Sequence, residues 1–203
     1  MFRTMREGKL EATIALDTIR DKQHLYGLGP LALLKGEILI VDGRAYVAQV
    51  NSDSSMKVKE NWLVKAPFFV QAKVEKWEQV PLPDSVLTIT QLENYLLQLR
   101  GAEATFAFKL EGTVAEAHIH VVNLPSGTVV RSRADAHTGR RDFILKNTQA
   151  ELIGFFSTQH QAVFTHHDSY VHIHLITKDR QKMGHLDTLQ LKPGAMTLYL
   201  PVK

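Results

Sequence analysis

The stretch Tyr170-Val171-His172-Ile173-His174-Leu175-Ile176-Thr177 constrains the fold most, because it reads as a β-strand with two imidazoles on one face. Side chains alternate along a strand, so His172 and His174 share a face with Tyr170, while Val171, Ile173 and Leu175 point into an apolar layer. Lys178-Asp179-Arg180 then offers a bend, and Met183-Gly184-His185-Leu186-Asp187 leads into a second β-rich run. A return across that bend sets His185 against the histidine pair. Three neutral imidazoles with no fourth protein ligand form the pattern of a catalytic zinc, which keeps one position open for water or substrate. A cupin site is a weaker reading, since it wants a glutamate three or four residues after the pair, where Thr177 and Lys178 stand. Three solvated histidines on a sheet face remain the plain alternative. His118 and the pair His166-His167 are read as polar surface.

The chain has no cysteine, so histidine and carboxylate must supply any metal site, and disulfide scaffolds and thiolate clusters are excluded. With 203 residues and 44% hydrophobic content it has material for a core without such staples. The net charge is +3, but Arg131, Arg133, Arg140 and Arg141 make only a short basic cluster. This favours a small anionic substrate over nucleic acid. No apolar run reaches signal-peptide length at the N-terminus or about eighteen residues anywhere, so a cytoplasmic protein without membrane contact is expected.

In chain order, Leu10, Ile14 and Ile19 suit a short amphipathic helix over residues 10–22. Asp42-Gly43 separates two β-rich runs and signals a hairpin, since both residues tolerate positive φ. Residues 67–74 read as a strand. Thr90-Gln91-Leu92-Glu93 reads as a capping box opening a helix with the apolar stripe Leu92, Leu96, Leu99, ended by Gly101. Further strands are expected over 104–110, 115–122, 128–133, 151–156 and 196–200. Trp62, Trp77, Phe68 and Phe69 are assigned to the core. The result is an α+β fold with few helices: residues 1–101 form an N-terminal β-rich subdomain with a mixed sheet that carries Glu37, and residues 102–203 a C-terminal β-sheet or barrel-like half with the three histidines. Open sheet edges make a homodimer an expectation.

Several motifs in fixed order carry a resemblance: Gly27-Leu28-Gly29, Leu33-Leu34-Lys35-Gly36-Glu37, Asp42-Gly43-Arg44-Ala45-Tyr46, Pro67-Phe68, residues 106–112, Glu151-Leu152-Ile153-Gly154-Phe155, and His172-x-His174 followed after ten residues by His185. Together they resemble the α-acetolactate decarboxylase family. The resemblance implies two associated β-rich regions, a zinc held by His172, His174 and His185, and conversion of 2-acetolactate, a 2-hydroxy-3-oxo acid, to acetoin and carbon dioxide. It also places the glutamate of the Gly-Glu motif, here Glu37, beside the metal as acid/base. Two departures stand out. Where the family carries a substrate-binding arginine at a strand end, this chain carries His120, which lacks a permanent charge and can itself donate a proton. Family members also extend past a Leu-Pro matched by Leu200-Pro201 and contribute a further active-site glutamate, which no residue up to Lys203 matches; Glu116 is a nearby acid. These departures leave two alternatives: a diverged metal- or ligand-binding homologue without catalysis, or a zinc lyase for a different 2-hydroxy-3-oxo acid. Asp179 is read as shaping the turn and as a partner for a ligand imidazole.

Overall fold

The computed structural model describes residues 10–161, 163, 165 and 169–202, so the His166-His167 pair lies outside the described residues. Strands dominate. A five-stranded sheet in the order β5-β4-β3-β2-β7 comprises β2 (Leu25–Pro30), β3 (Glu37–Val41), β4 (Arg44–Ser52), β5 (Ser55–Glu60) and β7 (Val70–Lys73). Asp42 and Gly43 turn β3 into β4 with φ of 45° and 76°, the positive pair that a tight hairpin of this twist requires. The other sheet runs β10-β11-β12-β9-β13-β8, from β8 (Trp77–Val80), β9 (Thr105–Val121), β10 (Arg141–Ser157), β11 (Val171–Thr177), β12 (Met183–Gln190) and β13 (Met196–Pro201). An additional pairing of β10 with β9 closes β9, β10, β11 and β12 into a ring. β8 precedes Gly101 in the chain yet is an edge strand of this sheet, paired with β13.

The expected α+β arrangement of β-rich parts with few helices is what the chain adopts. Pairing among the named strands of both sheets is antiparallel rather than mixed. Parallel pairing needs long crossover connections, whereas neighbours such as β3 and β4 or β11 and β12 are joined by short turns. One hydrophobic cluster spans both sheets, with Tyr26, Leu28 and Leu39 on one side and Phe108, Leu152, Ile173 and Leu186 on the other. No helix among the described residues is long and apolar enough to cross a membrane.

Four local expectations are corrected. Residues 10–22 are not a helix: β1 (Ile14–Ala15) pairs with β6 (Lys65–Ala66) and a 3-10 turn Leu16–Thr18 follows, because sheet pairing and burial of Leu16 outweigh a weak helical stripe. The strands expected at 104–110 and 115–122 are one strand, β9, that passes through Gly112 at φ +147°. Residues 128–133 form no strand; the Asp135 carboxylate accepts the Arg131 N–H and the Ser132 hydroxyl accepts the Asp135 N–H, which draws the chain into a turn and the short helix Arg133–Ala136. Helix α1 (Ile89–Arg100) does end at Gly101, but its capping box is Thr88 with Gln91 rather than Thr90 with Glu93. Leu92 and Leu96 are buried, whereas Leu99 is exposed.

Candidate functional site

Strand register brings the site together. Across the ring, His174 on β11 is directly opposite His185 on β12, His185 is opposite His120 on β9, and His120 is opposite Asp142 on β10. Directly opposed residues in a sheet present their side chains to the same face. His172, two residues before His174, joins the row. His172, His174 and His185 each offer a ring nitrogen within 4.8 Å of the others, and all three are buried. His172 Nε2 and His185 Nδ1 are 3.1 Å apart. The expected cluster forms, and the plain alternative of solvated histidines on a sheet face does not hold, since the whole of β11 is buried.

His174 has no solvent exposure, and neither of its ring nitrogens makes a hydrogen bond among the described residues. Burial holds its pKa well below the usual histidine range, and the neighbouring His172 and His120 rings push it the same way. The Ile38 backbone lies close enough to favour charge on the ring, but makes no hydrogen bond of normal geometry to it. A neutral imidazole with two unbonded nitrogens is costly in a protein interior unless something else takes a lone pair. A divalent metal does that, so the residues present fit one.

Glu37 reaches this group from the other sheet. Gly36, at φ +152°, admits no side chain, because a Cβ there would stand 2.3 Å from the Ala48 carbonyl oxygen. The turn before it carries Leu33 and Leu34 at positive φ. The Leu124 N–H donates to the Leu34 carbonyl oxygen, tying this turn to the segment after β9. Glu37 is buried, its Oε2 is 3.7 Å from His174 Nε2, and its Oε1 accepts the Val122 N–H at 3.3 Å. Burial raises its carboxyl well above the usual range; the Val122 N–H opposes this and the Asp187 charge adds to it.

His120 is also buried, and its ring centroid is 4.8 Å from that of His185. Its Nδ1 is 2.8 Å from Asp187 Oδ2. Asp187 and Asp142 form with His120 a second group of close ligand-type atoms, and Arg140 supplies its counter-charge at 2.7 Å from Asp142 and 3.7 Å from Asp187. Sequence reasoning missed Asp187, Asp142 and Arg140. The spacing of Asp187 from His185 was visible, but the register joining it to His120 was not. Asp179, expected near a ligand imidazole, instead accepts from the Thr177 hydroxyl at 2.6 Å and the Gln181 N–H at 3.0 Å in the β11–β12 turn. Glu116 pairs with His118 and Lys146 outside the cluster. Phe68 and Phe69, assigned to the core, line a pocket of about 440 Å³ together with Leu28, Val70 and His172.

Known proteins resemble this chain in sequence and in fold. The chain is 26% identical over 174 residues to an alpha-acetolactate decarboxylase of Methanosarcina mazei, covering 85% of this chain and 58% of that protein. It is 27% identical to those of Klebsiella aerogenes and Brevibacillus brevis, covering 85% and 90% of this chain and 64% and 62% of theirs. The chain thus spans about three-fifths of the length of these curated relatives. The crystal structure of acetolactate decarboxylase from Bacillus subtilis subspecies spizizenii superposes with a TM-score of 0.77 at 19% identity, covering 98% of this chain and 82% of that one. A Staphylococcus aureus protein of unknown function similar to alpha-acetolactate decarboxylase gives 0.72 at 18% identity, covering 94% and 78%. The fold is therefore the one those structures have, and the sequence carries the matter further: the family model for alpha-acetolactate decarboxylase matches residues 1–200, so the chain belongs to that family.

Proposed function

We propose that this chain is a zinc-dependent lyase that converts 2-acetolactate to acetoin and carbon dioxide, with His172, His174 and His185 as the zinc ligands and Glu37 and His120 as the catalytic side chains. One observation carries the reading: His174, buried with both ring nitrogens unbonded among the described residues, stands 3.7 Å from an equally buried Glu37. When bound, Zn²⁺ would supply Lewis acidity toward the ketone oxygen of the substrate.

Loss of carbon dioxide from the substrate anion leaves an electron pair on carbon, and acetoin forms when one proton is added there. Glu37 gives that proton in this reading: one carboxyl oxygen stands beside His174 and the Val122 N–H steadies the other. Water then returns a proton to Glu37. His120 lines the same face and contacts the substrate beside His185. As an imidazole it offers no permanent charge to a carboxylate, so substrate binding through it is weaker than through a guanidinium.

A second reading, a metal- or ligand-binding homologue without turnover, is favoured by the Asp142 and Asp187 carboxylates, which with His120 make a second group of ligand-type atoms beside the three histidines. One assay separates the two: acetoin released from 2-acetolactate by the zinc-loaded protein, with His174→Ala measuring spontaneous decarboxylation. Acetoin well above that control supports the lyase. Acetoin at the control level, with zinc bound, favours the binding protein.

A further inference from the structure

His120 sits in a built environment that the reaction as described does not use. β12 pairs with β9 through Leu186 opposite Ile119 and Thr188 opposite His118, which leaves Asp187 as an extra residue between them. Such a bulge re-aims a side chain. Here it accompanies an Asp187 carboxylate 2.8 Å from His120 Nδ1. Arg140 stands 3.7 Å from the same carboxylate oxygen. The rings of His185 and His137 are also close to that of His120, with centroids at 4.8 Å and 5.8 Å.

A carboxylate accepts hydrogen bonds and does not donate them. With Nδ1 turned to Asp187, Nε2 is the ring nitrogen left to meet a ligand. We propose that Asp187 is a positioning residue that fixes this form of His120, so that Nε2 accepts a hydrogen bond from the 2-hydroxyl of the substrate and selects 2-hydroxy acids over their deoxy analogues. This deepens the lyase reading and rests on it for the placement of the ligand over the three histidines. A site built to bond a hydroxyl rejects a ligand lacking it, because its own polar atom is then left unpaired.

The test uses inert acids, so it does not depend on turnover. Calorimetry on zinc-loaded protein compares 2,3-dihydroxy-2-methylbutanoate with 3-hydroxy-2-methylbutanoate, which lacks the 2-hydroxyl. Wild type is expected to prefer the first by about tenfold, the worth of one hydrogen bond. Asp187→Asn should bring the preference close to one at unchanged zinc content, Asp187→Glu should restore part of it, and Asp187→Asn should have no further effect in a His120→Phe background. Nitrogen-15 NMR of the wild type should show His120 protonated on Nδ1. A wild type with no preference, a preference that survives Asp187→Asn, or a hydrogen on Nε2 would overturn the assignment. Failure to make acetoin would sink the lyase reading instead and would leave these three outcomes to judge Asp187.

Discussion

Glu37 Oε2 and His174 Nε2 face each other at 3.7 Å from different sheets, and both side chains are buried. Their titrations are displaced in opposite directions. Glu37 is raised from 4.5, so in the metal-free protein the folded state keeps a proton that the unfolded chain releases, and stability falls as pH rises through that range. His174 is lowered from 6.5, so the unfolded chain binds a proton that the folded state refuses, and stability falls as pH drops below that value. Glu37→Gln removes only the first effect. Thermal melts of metal-free protein should find Glu37→Gln matched to wild type near pH 4 and more stable than it near pH 7. An equal difference at both pH values would show that Glu37 is not a displaced acid.

Gly184 immediately precedes His185, and a Cβ on it would stand 2.5 Å from the His120 carbonyl oxygen. Backbone cannot step aside there without parting β12 from β9. Gly184→Ala should therefore lose about 1–3 kcal/mol of stability by denaturant titration and also weaken zinc binding, because His185 moves with its strand. Gly154→Ala is the comparison, since its Cβ would enter the Phe108 ring at 2.2 Å, on the core side. It should cost a similar amount while leaving zinc affinity near wild type.

Helix α1 offers a test of local structure. Thr88→Ala removes the hydroxyl that accepts the Gln91 N–H and should cost about 1 kcal/mol in equilibrium unfolding. Thr90→Ala, inside the first turn, should cost much less. The reverse ranking would move the start of the helix.

That helix also marks the limit of what the residues alone disclose. Thr88-Ile89-Thr90-Gln91 and Thr90-Gln91-Leu92-Glu93 both satisfy the spacing of a capping box, and the choice turns on a tertiary contact: the Glu93 carboxylate is engaged by the Ser169 hydroxyl and the Tyr170 N–H. Asp42-Gly43 was legible because hairpin chemistry is local. His172 and His174 were legible as a pair because alternation is local too. Their meeting with His185 needed only a short return, whereas His120 joins the row through the pairing of β12 with the distant β9. Asp187 was hidden because its place beside His120 depends on the bulged register of β12 against β9, and Arg140 and Asp142 because they reach the site through the pairing of β10 with β9.

The location of bound zinc is the most direct test of the three-histidine centre. Anomalous diffraction at the zinc edge, on crystals of zinc-loaded protein, should place one peak about 2.0–2.1 Å from ring nitrogens of His172, His174 and His185. The same experiment on His174→Ala should lose that peak. A peak instead among His120, Asp142 and Asp187, or one at the three histidines that persists at full height in His174→Ala, would contradict the account.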